Sequence, residues 1–353
     1  MKQVFLQKPR QLVVIEVDIP DPGDEQVVIE IKACGVCSTD VHSFEGETIQ
    51  GNRFPFHPGH EVAGVVHSIG RKCHTLKPGD AVVINPFFPC EQCEFCRNNL
   101  QNHCLNTKTI GLVGPGGFSD FTVVPERSAY RFEGIAFESA ALAEPLATVV
   151  YGAERAGLGM GDRVLVQGVG PIGMLHLQVA LAAGAQLVAA SDLNPARLKK
   201  AEQLGTGTGI GAGGRRIIAV DGRDSDSGEK LRRLATGGFD LIVDCTGSPQ
   251  AVEAALPRLR NSGRLLIFGV CPQDSRVSIN PYDVYRRDIA IFGSFALNRT
   301  AMQRAVTMLE RDLIDAGAVI ARTMPRSELE AALRLIKGGE VDGKIIIVPD
   351  LPS

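Results

Sequence analysis

Four cysteines fall within fifteen residues as Cys90-x-x-Cys93-x-x-Cys96 followed by Cys104, among turn-forming neighbours. Thiolates at this spacing suit a closed tetrahedral shell around Zn²⁺, whose binding would order a loop that carries few apolar residues of its own. An iron–sulfur cluster competes for the same reading, because ferredoxin-like runs share the C-x₂-C-x₂-C opening. A second set is dispersed: Cys37 in the run Cys34 to His42, then His60-Glu61, then Glu144 before Pro145. One thiolate, one imidazole and one carboxylate leave a coordination position for water or substrate, which is the pattern of a catalytic zinc. For Glu61 or Glu144 taken alone, a buried structural role is the competing explanation.

A third pattern is Gly168-Val169-Gly170-Pro171-Ile172-Gly173, placed after the apolar run Arg163 to Gln167 and before a helical stretch. Gly168 permits the tight turn, Gly170 lets backbone approach a pyrophosphate, and Gly173 allows close helix–strand packing. The N–H groups of the helix that begins at Pro171 and Ile172 would then face the phosphates. Asp192 follows 19 residues after Gly173, at the end of a second apolar run. Its carboxylate is placed to accept from adenosine ribose hydroxyls and to repel a 2′-phosphate, so NAD is expected over NADP. Arg197 could weaken that preference, although Asn194-Pro195 reads as a cap and first helical residue that puts Arg197 on a helix.

These residues need elements to carry them. A length of 353 residues suggests two domains. The first ~145 residues read as short β-runs between Pro/Gly turns, such as 27–31, 61–66 and 80–84, hence a β-rich barrel or sandwich. From about residue 163 the rhythm becomes strand–helix–strand, with helices expected over 172–183 and 195–204 and strands near 164–166, 187–190, 217–220, 240–244, 264–268 and 289–292. Six such strands separated by helices predict an α/β fold with a doubly wound parallel sheet. A helix over 299–314 and a last strand over 344–348 are expected to rejoin the first half. The Gly-rich run 205–214 reads as a surface loop. Expected boundaries are therefore 1–146 for the β-rich domain, with its cysteine lobe at about 88–106, 147–291 for the dinucleotide domain, and 292–353 for the return.

Composition narrows the partners. With 37 Lys and Arg against 40 Asp and Glu, the net charge of −3 offers no surplus to neutralise a phosphate backbone, so nucleic acid is not expected. No apolar run reaches the ~18 residues of a membrane span, and no signal-peptide core follows Met1, so a cytoplasmic protein is expected. Nine cysteines in such a chain point to metal or catalysis before disulfides.

Taken together and in this order, Cys34 to His42, Pro58-Gly59-His60-Glu61, the four-cysteine lobe, Ala143-Glu144-Pro145-Leu146-Ala147 and the 168–173 turn resemble the zinc-dependent medium-chain alcohol and polyol dehydrogenases, nearly end to end. The resemblance implies a Rossmann domain beside a GroES-like catalytic domain, NAD, and two Zn²⁺ per chain, one catalytic and one structural. It implies Cys37 and His60 as zinc ligands with Glu61 or Glu144 supplying the carboxylate, and Cys90, Cys93, Cys96 and Cys104 around the structural ion. Glu144 stands where primary alcohol dehydrogenases carry a cysteine, which turns the reading toward polyols, butanediol or sugar alcohols.

The resemblance further implies Thr39 as the hydroxyl that passes the substrate proton, through the cofactor ribose, toward His42. The chemistry agrees: Zn²⁺ acidifies a bound alcohol, the alkoxide expels hydride to the nicotinamide, and the proton needs a route to water. Thr148 and Val270 are expected beside the nicotinamide, and Phe44, Phe118 and Phe295 along the substrate cleft. A homo-oligomer, most simply a tetramer, is implied as well. The Arg-Tyr pair of sorbitol dehydrogenases is missing after Gly293-Ser294-Phe295, which counts against sorbitol itself and leaves threonine, butanediol or sugar-phosphate oxidation as alternatives. A non-catalytic NAD- and zinc-binding regulator is the rival of another class, and the presence of Thr39 and His42 together with the ligands argues against it.

Overall fold

The computed structural model describes residues 1–47, 54–204 and 217–350. The Gly-rich run expected to form a surface loop at 205–214 lies outside them. The chain divides into two compact units, Met1–Ala147 with Leu297–Glu310 and Ile320–Ser353, and Thr148–Ala296 with Arg311–Val319.

In the first unit the strand Gln26–Gly35 is the hub. It pairs antiparallel with Glu61–Ile69, with Phe121–Pro125 and with Lys344–Val348. The full sheet runs Ile320–Pro325, Lys344–Val348, Gln26–Gly35, Glu61–Ile69, Ala81–Ile84, Ala129–Arg131. Val27, Ile29 and Ile31 alternate into a core with Leu6, Val62, Val66, Ile84, Val124 and Ile345, as period-two patterning requires. Register does the positioning here. Gly35 stands opposite both Glu61 and Ile346, so the C-terminal end of the hub strand, the start of a second and the start of a third meet at one place.

The second unit holds six parallel strands. With Arg163–Gln167, Leu187–Asp192, Ile217–Asp221, Phe239–Asp244, Leu259–Ile267 and Ala290–Gly293 counted one to six, the spatial order is 3-2-1-4-5-6, the doubly wound arrangement. Phe239–Asp244 is buried at every position, as a central parallel strand covered on both faces should be. At the N-terminal edge of this sheet, arginines serve carbonyls that helices and turns leave open. Arg163 Nη1 donates to Thr236 O at 2.8 Å, Arg264 Nη1 to Ala156 O at 3.1 Å and Arg287 Nη1 to Leu256 O at 3.4 Å.

The expected helices appear as Pro171–Ala182, Pro195–Gln203 and Arg299–Glu310. The last one stops short of the predicted 314, because Asp312 adopts a left-handed φ of 51° and no helix continues through that conformation. Residues 311–319 then belong to the second unit.

His176, on the helix Pro171–Ala182, is buried with no partner for Nε2, its ring edge-on to Phe268 at 4.6 Å. Burial pushes its pKa down to about 3. Above about pH 6.5 the imidazole is neutral folded or unfolded and contributes nothing; below it, only the unfolded chain takes up the proton. Stability should therefore fall as pH drops from about 6.5 toward 3, by up to about 1.4 kcal/mol per pH unit from this group alone. His176→Leu is expected to flatten that part of the wild-type curve of Tm against pH; parallel curves would contradict it.

Candidate active site and metal centres

Cys37 caps the helix Ser38–Glu45 directly after the hub strand. Asp40, the third helical residue, folds back to accept from Cys37 N–H at 2.9 Å, and its other oxygen accepts from Gly59 N–H at 3.0 Å. Gly59 carries φ 91°, and a Cβ there would sit 2.8 Å from the Phe118 backbone nitrogen, so only glycine makes this turn. The turn delivers His60, whose Nδ1 lies 3.7 Å from Asp40 Oδ1. Burial alone would lower the His60 pKa, but the Asp40 carboxylate and then Cys37 drive it well above the ordinary value. Burial alone would likewise raise Asp40, and His60 with the two backbone donors holds it low.

Glu61 follows at the start of its strand and is 1% exposed. Its Oε1 accepts from Lys344 Nζ at 2.6 Å, and the same ammonium donates to Val36 O at 3.3 Å. Glu61 Oε2 is buried with no partner. It packs over Gly35, where a Cβ would approach to 1.9 Å. Lys344 is itself buried; desolvation would lower its pKa, and Glu61 first, then Cys37, raises it.

Atoms able to ligate on Cys37, His60 and Glu61 all lie within 4.8 Å of one another. A thiol, an imidazole and an orphaned carboxylate oxygen form a donor set that fits Zn²⁺ with a position left open. Glu144 is outside this cluster, in the first turn of the helix Ala143–Arg155. It is buried and pushed up to about 7, by desolvation first and then by Glu61 and Asp40, against the pull of His60 and Lys344. Glu144 thus feels the charges of the cluster without belonging to it.

Thr39 Oγ1 lies 3.6 Å from Cys37 Sγ. His42, one turn further along the same helix, is partly exposed and places Nδ1 2.5 Å from Glu47 Oε2, which fixes Nδ1 as the protonated nitrogen when the ring is neutral.

Cys90, Cys93, Cys96 and Cys104 also converge within 4.8 Å. Cys93 and Cys96 Sγ are 3.5 Å apart, and Cys90 and Asn106 N–H point at Cys104 Sγ at 3.2 and 3.4 Å. Backbone N–H groups of Gln92 and Cys93 hold the Cys90 thiol down at about 6, and those of Cys96 and Leu105 lower Cys93. Amides aimed at sulfur stabilise thiolate, the form that binds metal.

In the second unit Gly168 takes φ 83° and Gly170 caps the helix with Pro171 in its first turn. A Cβ on Gly173 would lie 2.0 Å from Gly168 O, whereas Gly170 faces open space. These are the three separate needs of a dinucleotide turn. Asp192 accepts from Val169 N–H at 2.6 Å and Asn194 N–H at 2.8 Å, which ties the second strand's carboxylate to that turn. Ile172 and Arg197 occupy the first turns of their helices. Thr148 begins the second unit, Val270 is strongly exposed and Phe295 is half-exposed.

Phe44 and Phe118, expected along a substrate cleft, are instead core residues at 2% and 1% exposure. Phe44 turns inward from its helix with the Arg334 guanidinium over the ring, and Phe118 backs the Gly59 turn. Sequence reasoning gave no site role to Asp40 or Lys344. Asp40 carries a local signal, an acidic third residue after a helix cap. Lys344 carries none.

Two family models match the chain: the alcohol dehydrogenase GroES-like domain over residues 23–134 and the zinc-binding dehydrogenase over 171–311. Among curated relatives, D-altritol 5-dehydrogenase of Agrobacterium fabrum is 34% identical across 92% of both chains. L-threonine 3-dehydrogenase of Symbiobacterium thermophilum is 31% identical across 96% of this chain and 94% of its own. Among solved structures, a zinc-binding dehydrogenase from Sinorhizobium meliloti 1021 bound to NADP superposes with TM-score 0.87 at 28% identity, over 99% of both chains. An alcohol dehydrogenase from E. coli CFT073 complexed with NADH gives 0.87 at 25%, again over 99% of both. No helix among the described residues is long and apolar enough to cross a membrane.

Proposed function

The chain belongs to the zinc-dependent medium-chain alcohol and polyol dehydrogenases, and we propose that it reversibly oxidises a secondary alcohol of a small polyol or sugar alcohol to a ketone, with NAD as acceptor. The observation that carries this reading is the convergence of Cys37, His60 and Glu61, with Glu61 Oε2 buried and without a hydrogen-bond partner. A buried carboxylate oxygen without a partner costs stability unless something else satisfies it, and a cation beside a thiolate and an imidazole does so.

Cys37, His60 and either Glu61 or Glu144 would hold the catalytic zinc, and the four lobe cysteines the structural one. When bound, zinc supplies Lewis-acid polarisation of the alcohol oxygen and NAD accepts the hydride. The chain's own residues do the rest. Asp40 orients the His60 ring and raises its basicity as a ligand. Lys344 anchors one oxygen of Glu61 and leaves the other to the centre. Thr39 takes the hydroxyl proton toward His42, which releases it to solvent with Glu47 as its carboxylate partner. Thr148 and Val270 would flank the nicotinamide, and Phe295 the substrate. One structural relative binds NADP and another NADH, so the fold itself does not choose the cofactor; Asp192 favours NAD.

Threonine oxidation is the second reading, favoured by the identity to a threonine dehydrogenase across nearly the whole chain. The test is NADH formation over a panel of polyols, diols, threonine and sugar phosphates, with zinc content measured on the same protein. Ketone formation from a polyol at two zincs per chain is the expected result. Selective turnover of threonine would move the assignment, and equal kcat/KM for NAD and NADP would overturn the cofactor reading.

A further inference from the structure

At the C-terminal edge of the parallel sheet, three residues beside Asp192 form an arrangement that the dinucleotide turn does not require. Asp192 ends its strand in register with Asp221, the last residue of the neighbouring strand. The chain leaving Asp221 turns back over that end, because Gly222 N–H donates to Asp192 O at 2.9 Å. Arg223 follows, and its side chain folds onto Asp221. Its Nε lies 3.0 and 3.2 Å from the two carboxylate oxygens, Nη2 lies 2.6 Å from one of them, and its backbone N–H donates to the other at 2.9 Å.

Pairing through both oxygens fixes the plane and direction of a guanidinium. The Arg223 side chain remains 57% exposed, so burial does not hold it there; Asp221 does. A further cation on this edge, Lys230, is committed to Asp224 and Asp226 at 2.7 and 3.0 Å. Asp192 itself is pinned by two backbone donors. The edge therefore presents two fixed carboxylates on neighbouring strands, with an arginine two residues beyond Asp221 whose Nε and Nη2 are engaged by it.

An arginine close to the second-strand acid is what a ribose 2′-phosphate uses. Its presence would by itself read as a signal for NADP. We propose that Asp221 is a specificity-determining residue: its ion pair withholds the Arg223 guanidinium from a 2′-phosphate, and together with Asp192 it makes the adenosine end of the site select NAD. The proposal rests on reading Asp192 as the ribose-binding carboxylate. To reach a 2′-phosphate, Arg223 must leave a two-point pair.

Binding of NADH and NADPH to the full-length zinc-loaded protein tests this by fluorescence titration at fixed ionic strength, without knowledge of the alcohol substrate. The readout is the ratio of the NADPH to the NADH dissociation constant. In Asp221→Ser the ratio should fall about tenfold or more, the worth of one charge-assisted contact. In Asp221→Ser/Arg223→Ala it should return to within about threefold of wild type, because the gain depends on the released guanidinium. An unchanged ratio in Asp221→Ser overturns the proposal, and so does a gain that persists in the double variant, which would assign the phosphate contact to another cation such as Arg197. A wild-type ratio near one overturns the Asp192 reading and the proposal with it, so the two failures are distinguished before any variant is made.

Discussion

Cys37→Ser should lower kcat by about a thousandfold or more while the dissociation constant for NADH stays close to wild type. The hydroxyl of serine is a poor zinc ligand at neutral pH, since thiolate rather than thiol or hydroxyl binds the metal. Losing the ion removes several kcal/mol of charge stabilisation at the reacting oxygen, and each 1.36 kcal/mol is about a factor of ten in rate. NADH affinity is spared because the Gly168–Gly173 turn and Asp192 belong to the second unit and Cys37 to the first. Zinc analysis should show one ion per chain lost and one retained. Cys93→Ser makes the complementary case: the four-cysteine lobe has little core of its own, so its loss should appear in Tm and yield before it appears in the rate of the surviving folded fraction. A Cys37→Ser variant with unchanged kcat would remove the first-unit cluster from the mechanism.

The four-cysteine lobe and the glycine turn were legible because their information is local: Cys90, Cys93, Cys96 and Cys104 fall within one loop, and Gly168–Gly173 is six residues. The set of Cys37, His60 and Glu61 is spread over two strands and a turn, and its spacing left the choice of carboxylate open. The second-unit sheet was legible for a similar reason: each strand is a short apolar run bracketed by a helix, and its parallel order follows from connection rules. The end of the helix Arg299–Glu310 was not, since the amphipathic pattern continues past the left-handed Asp312 that stops it. Phe44 and Phe118 show a different limit. A phenylalanine serves a dry core and a substrate wall equally well, and only the packing of Arg334 and the Gly59 turn around them decides. Lys344 lies 283 residues from Glu61, and what brings them together is the pairing of two strands with the hub strand between them. No motif spacing encodes that register. A lysine at the start of an apolar final strand reads simply as a solvated strand end.

That pairing carries the second large effect. Lys344→Met should destabilise the protein by about 3–5 kcal/mol, the cost of leaving a buried carboxylate without its partner. Methionine keeps the length and the apolar stem of lysine, so little packing is lost and the change isolates the charge. The penalty belongs to Glu61 and not to the missing ammonium, because Glu61 is the more deeply buried of the two and its second oxygen is already unsatisfied by any protein donor. Two further measurements separate this cause from a general loss of packing. In Lys344→Met/Glu61→Gln the buried charge is gone from both sides, and urea denaturation should recover a substantial part of the loss, giving a coupling energy well above the ~0.5 kcal/mol expected of independent sites. Removing zinc with a chelator should deepen the Lys344→Met defect more than it deepens that of the wild type, since the cation is then the remaining compensation for Glu61. A Lys344→Met variant destabilised by less than about 1 kcal/mol, or one indifferent to chelation, would mean that Glu61 is not held as a buried anion at the zinc centre, and the carboxylate role would pass to Glu144.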